Sequence, residues 1–286
     1  MQVKFWGVRG SIATPGRHTA SLGGNTSCVE VVQGNNRLIL DAGTGIAKLG
    51  ERLIADRSQT FHIFLSHFHF DHICGLPFFP PIYNHKSKIC FYGPSGHHNS
   101  LKSTLKFLFT GDYFPVPFEK LPAQLTFRTL GEEKFRIGPF HLTSLRLNHP
   151  GHTMGLRVKA GGTTLVYLTD NEPLQGFRHL NNKMAAAYDK KLQSFIRGAD
   201  MVIHDAHFLG PDYDKHRGWG HCAWEHAITL AQECDVKQLI LFHFGPQYKD
   251  SLLLKQWRFL SKNLSVEKSP LKVELAREGE SITIKP

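Results

Sequence analysis

Phe61-His62-Ile63-Phe64-Leu65-Ser66-His67-Phe68-His69-Phe70-Asp71-His72 joins an apolar, strand-like run to four metal-ligand side chains. His67 and His69 are two residues apart, so in an extended backbone both imidazoles point to one face and can share an ion. Asp71 and His72 follow as the chain turns, aimed at a neighbouring position. The run therefore reads as the end of a strand that opens into a metal-binding loop.

The surrounding chain repeats that pattern of short apolar runs. Val3–Trp6, Cys28–Val32, Leu38–Leu40, Ile63–Leu65, Lys88–Phe91 and Phe140–Leu145 read as strands, as do Gly155–Val158, Leu165–Leu168, Met201–His204 and Leu239–Phe242. Between them, Ile46–Ala55, Leu101–Phe109, Lys183–Ile196, Ala223–Glu233 and Ser251–Leu260 carry apolar residues at three- or four-residue spacing, the period of a helix with one buried face. Alternating strands and helices predict an α/β sandwich, sheets inside and helices outside. No Gly-, Ser- or Pro-rich linker divides the chain, so residues 1–286 are read as one domain of two halves.

Composition narrows the function. With 286 residues and 41% hydrophobic content the chain can bury a sizeable core. No apolar run approaches the roughly 18 residues needed to span a bilayer, and the N-terminus lacks a basic segment followed by an apolar one, so a cytoplasmic protein with no membrane partner is expected. Five cysteines without a CxxC pair fit free thiols in a reducing compartment. The formal net charge of +10 favours anionic partners, but the basic residues are scattered rather than massed into a nucleic-acid-binding tail.

More candidate ligands stand at strand ends. His149 follows Leu145-Arg146-Leu147-Asn148, Asp170 closes Leu165–Thr169, and His243 closes Leu239–Phe242. Together with His67, His69, Asp71 and His72 they make seven imidazoles and carboxylates, a set suited to two borderline divalent ions. Zn is the first expectation, with Mn or Fe as alternatives.

The order of these motifs resembles the metallo-β-lactamase-fold hydrolases, in particular the phosphodiesterase branch related to ribonuclease Z. The likeness runs from Phe5-Trp6-Gly7-Val8-Arg9-Gly10-Ser11 through Gly23-Gly24-Asn25-Thr26-Ser27-Cys28, Leu40-Asp41-Ala42-Gly43-Thr44-Gly45 and the metal loop. It continues through Asn148-His149-Pro150-Gly151, Tyr167-Leu168-Thr169-Asp170 and Leu241-Phe242-His243-Phe244. The resemblance implies an αββα four-layer sandwich with the site along one edge between two sheets. It also implies a partition of the ligands: His67, His69 and His149 for one ion, Asp71, His72 and His243 for the other, Asp170 as the bridge.

Two ions can lower the pKa of a shared water from 15.7 toward about 7, making hydroxide the expected nucleophile and Asp71 the residue that orients or deprotonates it. No Gly-x-Ser-x-Gly elbow offers a competing serine. Arg217-Gly218-Trp219-Gly220-His221-Cys222 resembles the Gly-His-Ser element of the ribonuclease Z branch, with Cys222 in the serine position. His221 is thus a candidate to protonate the leaving oxygen or to bind the phosphate. Asp205 is a candidate to orient His221, and Asp41 is either a turn residue or a hydrogen-bonding support for a ligand histidine.

Ribonuclease Z proper carries a long tRNA-gripping arm between its third metal motif and the bridging Asp. Here His149 and Asp170 are only 21 positions apart. The expected substrate is therefore a small anionic phosphodiester, a cyclic nucleotide foremost. RNA processing is the alternative, followed by hydrolysis of a lactone or thioester, with a structural-metal binding module last; a homodimer is left open.

Overall fold

The computed structural model describes residues 1–54, 59–96, 99–174, 182–266 and 269–286. It divides into two compact units, Met1–Gly131 with Arg277–Thr283, and Glu132–Ala276 with Ile284–Pro286. Each unit builds one seven-stranded mixed sheet.

The first unit contains β1 (Gln2–Gly7), β2 (Cys28–Gln33), β3 (Asn36–Leu40), α1 (Gly45–Leu53), β4 (Thr60–Phe64), α2 (Phe70–Ile73), β5 (Lys88–Gly93), α3 (Leu101–Lys106) and β6 (Gln124–Thr129). The second contains β7 (Lys134–Ile137), β8 (Phe140–Arg146), β9 (Met154–Ala160), β10 (Thr163–Leu168), α4 (Asn182–Ile196), β11 (Met201–Asp205), α5 (Gly210–Tyr213), α6 (Trp224–Glu233), β12 (Gln238–Phe242), α7 (Asp250–Val266) and β13 (Lys272–Leu275). The chain then returns to the first sheet as β14 (Ser281–Thr283).

The strand orders are β14-β1-β2-β3-β4-β5-β6 and β13-β12-β11-β10-β9-β8-β7. In the first sheet β3, β4, β5 and β6 are parallel neighbours; in the second, β10, β11, β12 and β13 are. Buried parallel strands read as unbroken apolar runs rather than as alternation. Leu239, Ile240, Leu241 and Phe242 in β12 are accordingly all buried. Parallel neighbours also end at the same edge, which gathers the residues that follow them into one place.

The helices follow the apolar spacing. α6 buries Trp224, Ala227, Ile228 and Ala231, a stripe at three- and four-residue intervals, and begins after Ala223, which is extended at the N-cap. α1 ends at Leu53, and Ala55, where the apolar spacing places its end, lies outside the described residues. α7 runs to Val266, beyond the expected Leu260. The β9–β10 hairpin turns through Gly161 and Gly162, at φ +56° and +77°, the left-handed pair that a tight two-residue turn demands.

Four strands carried no clear signal in the sequence: β6, β7, β13 and β14. β6, β7 and β14 have at most one buried residue each and lie at sheet edges. Their pairing comes from the neighbouring strand rather than from their own apolar content.

Candidate metal centre and catalytic loop

In the first unit, β4 leads into Leu65-Ser66-His67-Phe68-His69, and His69 is the extended N-cap of the single-turn helix α2, which carries Asp71 and His72. The expected loop is thus extended at His69 and continues into a helical turn. The rings of His67 and His69 are 4.5 Å apart between centroids, and those of His67 and His72 4.3 Å. His67, Asp71 and His72 are buried, while His69 is exposed.

Asp41, at the end of the neighbouring strand β3, organises this loop. It is fully buried and sits at φ +61°, a strained conformation for a residue with a side chain. Its carboxylate accepts from the Ser66 N–H at 2.7 Å and the Ser66 hydroxyl at 2.9 Å, and lies 2.8 Å from His72 Nδ1. A carboxylate only accepts, so His72 Nδ1 carries the proton and Nε2 presents a lone pair. The Ser66 oxygen, having given its hydrogen to Asp41, accepts from His67 Nδ1 at 3.0 Å, which fixes the same tautomer there. One carboxylate therefore sets the tautomer of two candidate ligand imidazoles. Of the two readings offered for Asp41, these contacts match the hydrogen-bonding one.

Asp71 Oδ2 accepts the Ser11 N–H at 2.7 Å and lies 3.3 Å from His72 Nε2. Ser11, at φ +64°, belongs to the Gly7–Ser11 segment, so that segment supplies a backbone donor to a candidate ligand. Replacing Asp41 by alanine is expected to weaken metal binding about 10- to 100-fold, the usual cost of losing the partner behind a ligand histidine. Chelator competition measures it, and an unchanged affinity would remove Asp41 from the metal centre.

In the second unit, β8 and β10 both run antiparallel to β9 and so share a direction; β10, β11 and β12 are parallel neighbours. His149, Asp170, Asp205 and His243 follow or close these four strands and meet at one edge. Asp170 Oδ1 is 3.7 Å from His149 Nε2, and Asp170 Oδ2 is 3.5 Å from His243 Nε2. Each oxygen of one carboxylate thus faces a different imidazole. Asp170 and His243 have φ +52° and +62°, further departures from ordinary backbone concentrated at this edge. His149 Nδ1 lies 2.8 Å from the Gly220 carbonyl, an acceptor only, so here too Nε2 holds the lone pair. Histidine lone pairs beside carboxylates are a donor set that fits divalent ions.

The loop with His221 packs on the same unit. His221 Nδ1 is 3.0 Å from Asp205 Oδ2, the contact that an orienting carboxylate would make. Burial pushes the Asp205 carboxyl up, but the His221 charge and hydrogen bond, with His243, outweigh it and hold it below the ordinary range. His152, of unassigned role in the sequence, is half-buried.

His207 is a residue that the sequence reading passed over. It stacks on His221 at 4.2 Å and 16°, and its Nδ1 is buried without a hydrogen bond. Burial, then the charges of His221 and His243, push its pKa down to about 3, so it stays neutral. Ligand atoms of Asp205, His207, His221 and His243 lie within 4.8 Å of one another. Asp205 is nevertheless occupied: Oδ1 accepts from His207 N, and Oδ2 from Asn171 N, His221 Nδ1 and Cys222 N. Asp205 thus joins His207 and His221 by hydrogen bonds, while His243 Nδ1 stands 3.8 Å from its Oδ1. A histidine two residues after Asp205 was the available signal.

A family model described as the beta-lactamase superfamily domain matches residues 36–244, most of the chain. The chain belongs to the beta-lactamase superfamily. Its fold is the metallo-β-lactamase α/β sandwich, it is a hydrolase of this superfamily, and its sequence is similar to ribonuclease Z. Ribonuclease Z of Nitrosopumilus maritimus is 23% identical over 279 residues, covering 87% of this chain and 93% of the relative. The metallo-β-lactamase-fold protein YhfI from Bacillus subtilis superposes with a TM-score of 0.69 at 20% identity, covering 98% of both chains. Unliganded yeast PDE1 also gives 0.69, at 14% identity and 98% coverage of both. Among the described residues of this superfamily member no helix is long and apolar enough to cross a membrane, and all five cysteines are free.

Proposed function

We propose that this chain is a dinuclear metal-dependent phosphodiesterase that hydrolyses a small phosphodiester, a cyclic nucleotide foremost, in the cytoplasm. The ligands are His67, His69 and His149 for one ion, Asp71, His72 and His243 for the other, and Asp170 as bridge. Residues 1–286 are read as one catalytic domain.

The observation that carries this reading is Asp170, one oxygen facing His149 and the other His243. A carboxylate with a different candidate ligand histidine beside each oxygen suits a group shared by two ions. Bound ions, zinc by the histidine-carboxylate chemistry, supply Lewis acidity and a water that ionises near neutral pH. Asp71 orients that water. His221, its Nδ1 held by Asp205, presents Nε2 to the leaving oxygen and donates a proton to it. The net charge of +10 draws an anionic substrate in.

A small substrate is supported by the segment between His149 and Asp170, which is consumed by β9, the Gly161-Gly162 turn and β10. The ribonuclease Z relatives favour the second reading, RNA processing. Metal analysis joined to turnover of bis-aryl phosphates, cyclic nucleotides and precursor RNA separates the two. About two equivalents of metal and cyclic-nucleotide turnover are expected. Efficient cleavage of structured RNA with a steep salt dependence would replace this reading with the nuclease. Faster turnover of lactones or thioesters than of any phosphodiester would displace both.

A further inference from the structure

We propose that Glu172 is a positioning residue for the hydrolysis, holding the His149 and His221 segments in working register; this rests on the roles given to those two histidines above. Glu172 lies two residues beyond Asp170 and is 1% exposed. Its Oε1 accepts the Tyr213 hydroxyl at 3.0 Å and the Gly218 N–H at 2.8 Å. Its Oε2 accepts the Gly220 N–H at 2.7 Å and the Gly218 N–H at 3.1 Å. All these partners are neutral.

A buried carboxylate without a bonded cation is costly unless fixed dipoles replace the lost water. The turn before His221 provides them. Gly218 and Gly220 sit at φ +90° and +85°, a left-handed backbone that lets their N–H groups converge on one anion, as in a nest. The carboxylate thus specifies the shape of the segment that ends in His221.

The same segment reaches His149. The Gly220 N–H is bonded to Glu172 and the Gly220 carbonyl accepts from His149 Nδ1, so one residue transmits the position of the carboxylate to a candidate ligand. The fit is close, since a Cβ on Gly220 would stand 2.3 Å from His149 Nδ1. The main chain of Glu172 grips the other side: its N–H donates to the Asn148 carbonyl, and Asn148 Nδ2 donates to its carbonyl, both at 2.9 Å. Glu172 therefore holds the residue before His149 through its backbone and the residue before His221 through its side chain. With both oxygens filled by donors, it acts as an anchor rather than as a proton carrier or ligand.

Glu172→Gln keeps the size of the side chain but turns an amide N–H₂ toward a backbone N–H. Metal affinity, read by chelator competition without any substrate, is expected to fall about 10-fold or more, the cost typical of losing support behind a ligand. At saturating metal, turnover of an alkyl phosphodiester is expected to fall about 10-fold further than that of a bis-aryl phosphate, because an aryloxide leaves without a proton while an alkoxide needs His221. KM should move less than kcat. A lowered melting temperature with metal affinity and the alkyl-to-aryl ratio both unchanged would overturn the proposal, leaving a structural role only.

If Glu172→Gln fails to fold, Gly218→Ala attacks the same nest through its positive φ and is held to the same two outcomes. Where both fold, the double variant should be no worse than the poorer single one, since the two changes break one device; additive losses would count against it. Should the unaltered protein hydrolyse no phosphodiester, the functional reading falls, while the metal arm still decides whether Glu172 holds His149.

Discussion

Asp71→Ala is expected to lower kcat/KM by about 10²- to 10⁴-fold, the range for removing a group that handles a proton in the transition state. Asp71 is buried, and one of its oxygens is committed to the Ser11 N–H and the neighbourhood of His72 Nε2. That contact turns the carboxylate to a set angle and leaves its remaining lone pairs for the ion and the water of the proposed site. Alanine removes a ligand and the water's orienting group together. Asp71→Asn keeps the shape and the Ser11 contact but loses the charge, and is expected to lose nearly as much. Steady-state kinetics on a bis-aryl phosphate, with metal content measured on the same samples, reads both effects. A loss under 10-fold with metal retained would remove Asp71 from the chemistry.

His221→Ala separates proton donation from phosphate binding. As a general acid, His221 is expected to be worth about 10²- to 10⁴-fold on an alkyl phosphodiester and far less on a bis-aryl one. A phosphate ligand would instead show as a similar loss on both substrates, largely in KM. Asp205→Asn should follow the same leaving-group pattern: an asparagine can turn its amide toward Nδ1 and invert the tautomer, which moves the proton that Nε2 must supply. The position of Asp205, fully buried and 3.0 Å from His221, makes the two substitutions one experiment. Loss on neither substrate would dismiss the role.

The metal loop illustrates how much of the site was legible in the chain. Imidazoles two apart, a carboxylate and a third imidazole are a local pattern, and local patterns survive in sequence because strand and helix periods translate spacing into direction. The strand ends were legible for the same reason, since His149, Asp170 and His243 each follow a run that stops. α7, longer than expected, and β13, an edge strand that pairs only with β12, were not. Edge strands bury one side at most, so their apolar content is thin.

What the sequence determined by itself is the candidate donor set, the alternation that makes an α/β fold, and the short interval between His149 and Asp170. What only the tertiary structure decided is which partner stands behind each donor: Asp41 behind His72, Gly220 behind His149, Asp205 behind His221 and Glu172 behind the turn at Gly218 and Gly220. Those pairs are separated by 31, 71, 16 and 46 to 48 residues. Spacing along the chain carries no information over such intervals. The hydrogen bonds exist because parallel strands bring their ends to one edge, and that meeting is a property of the sheet rather than of any segment within it.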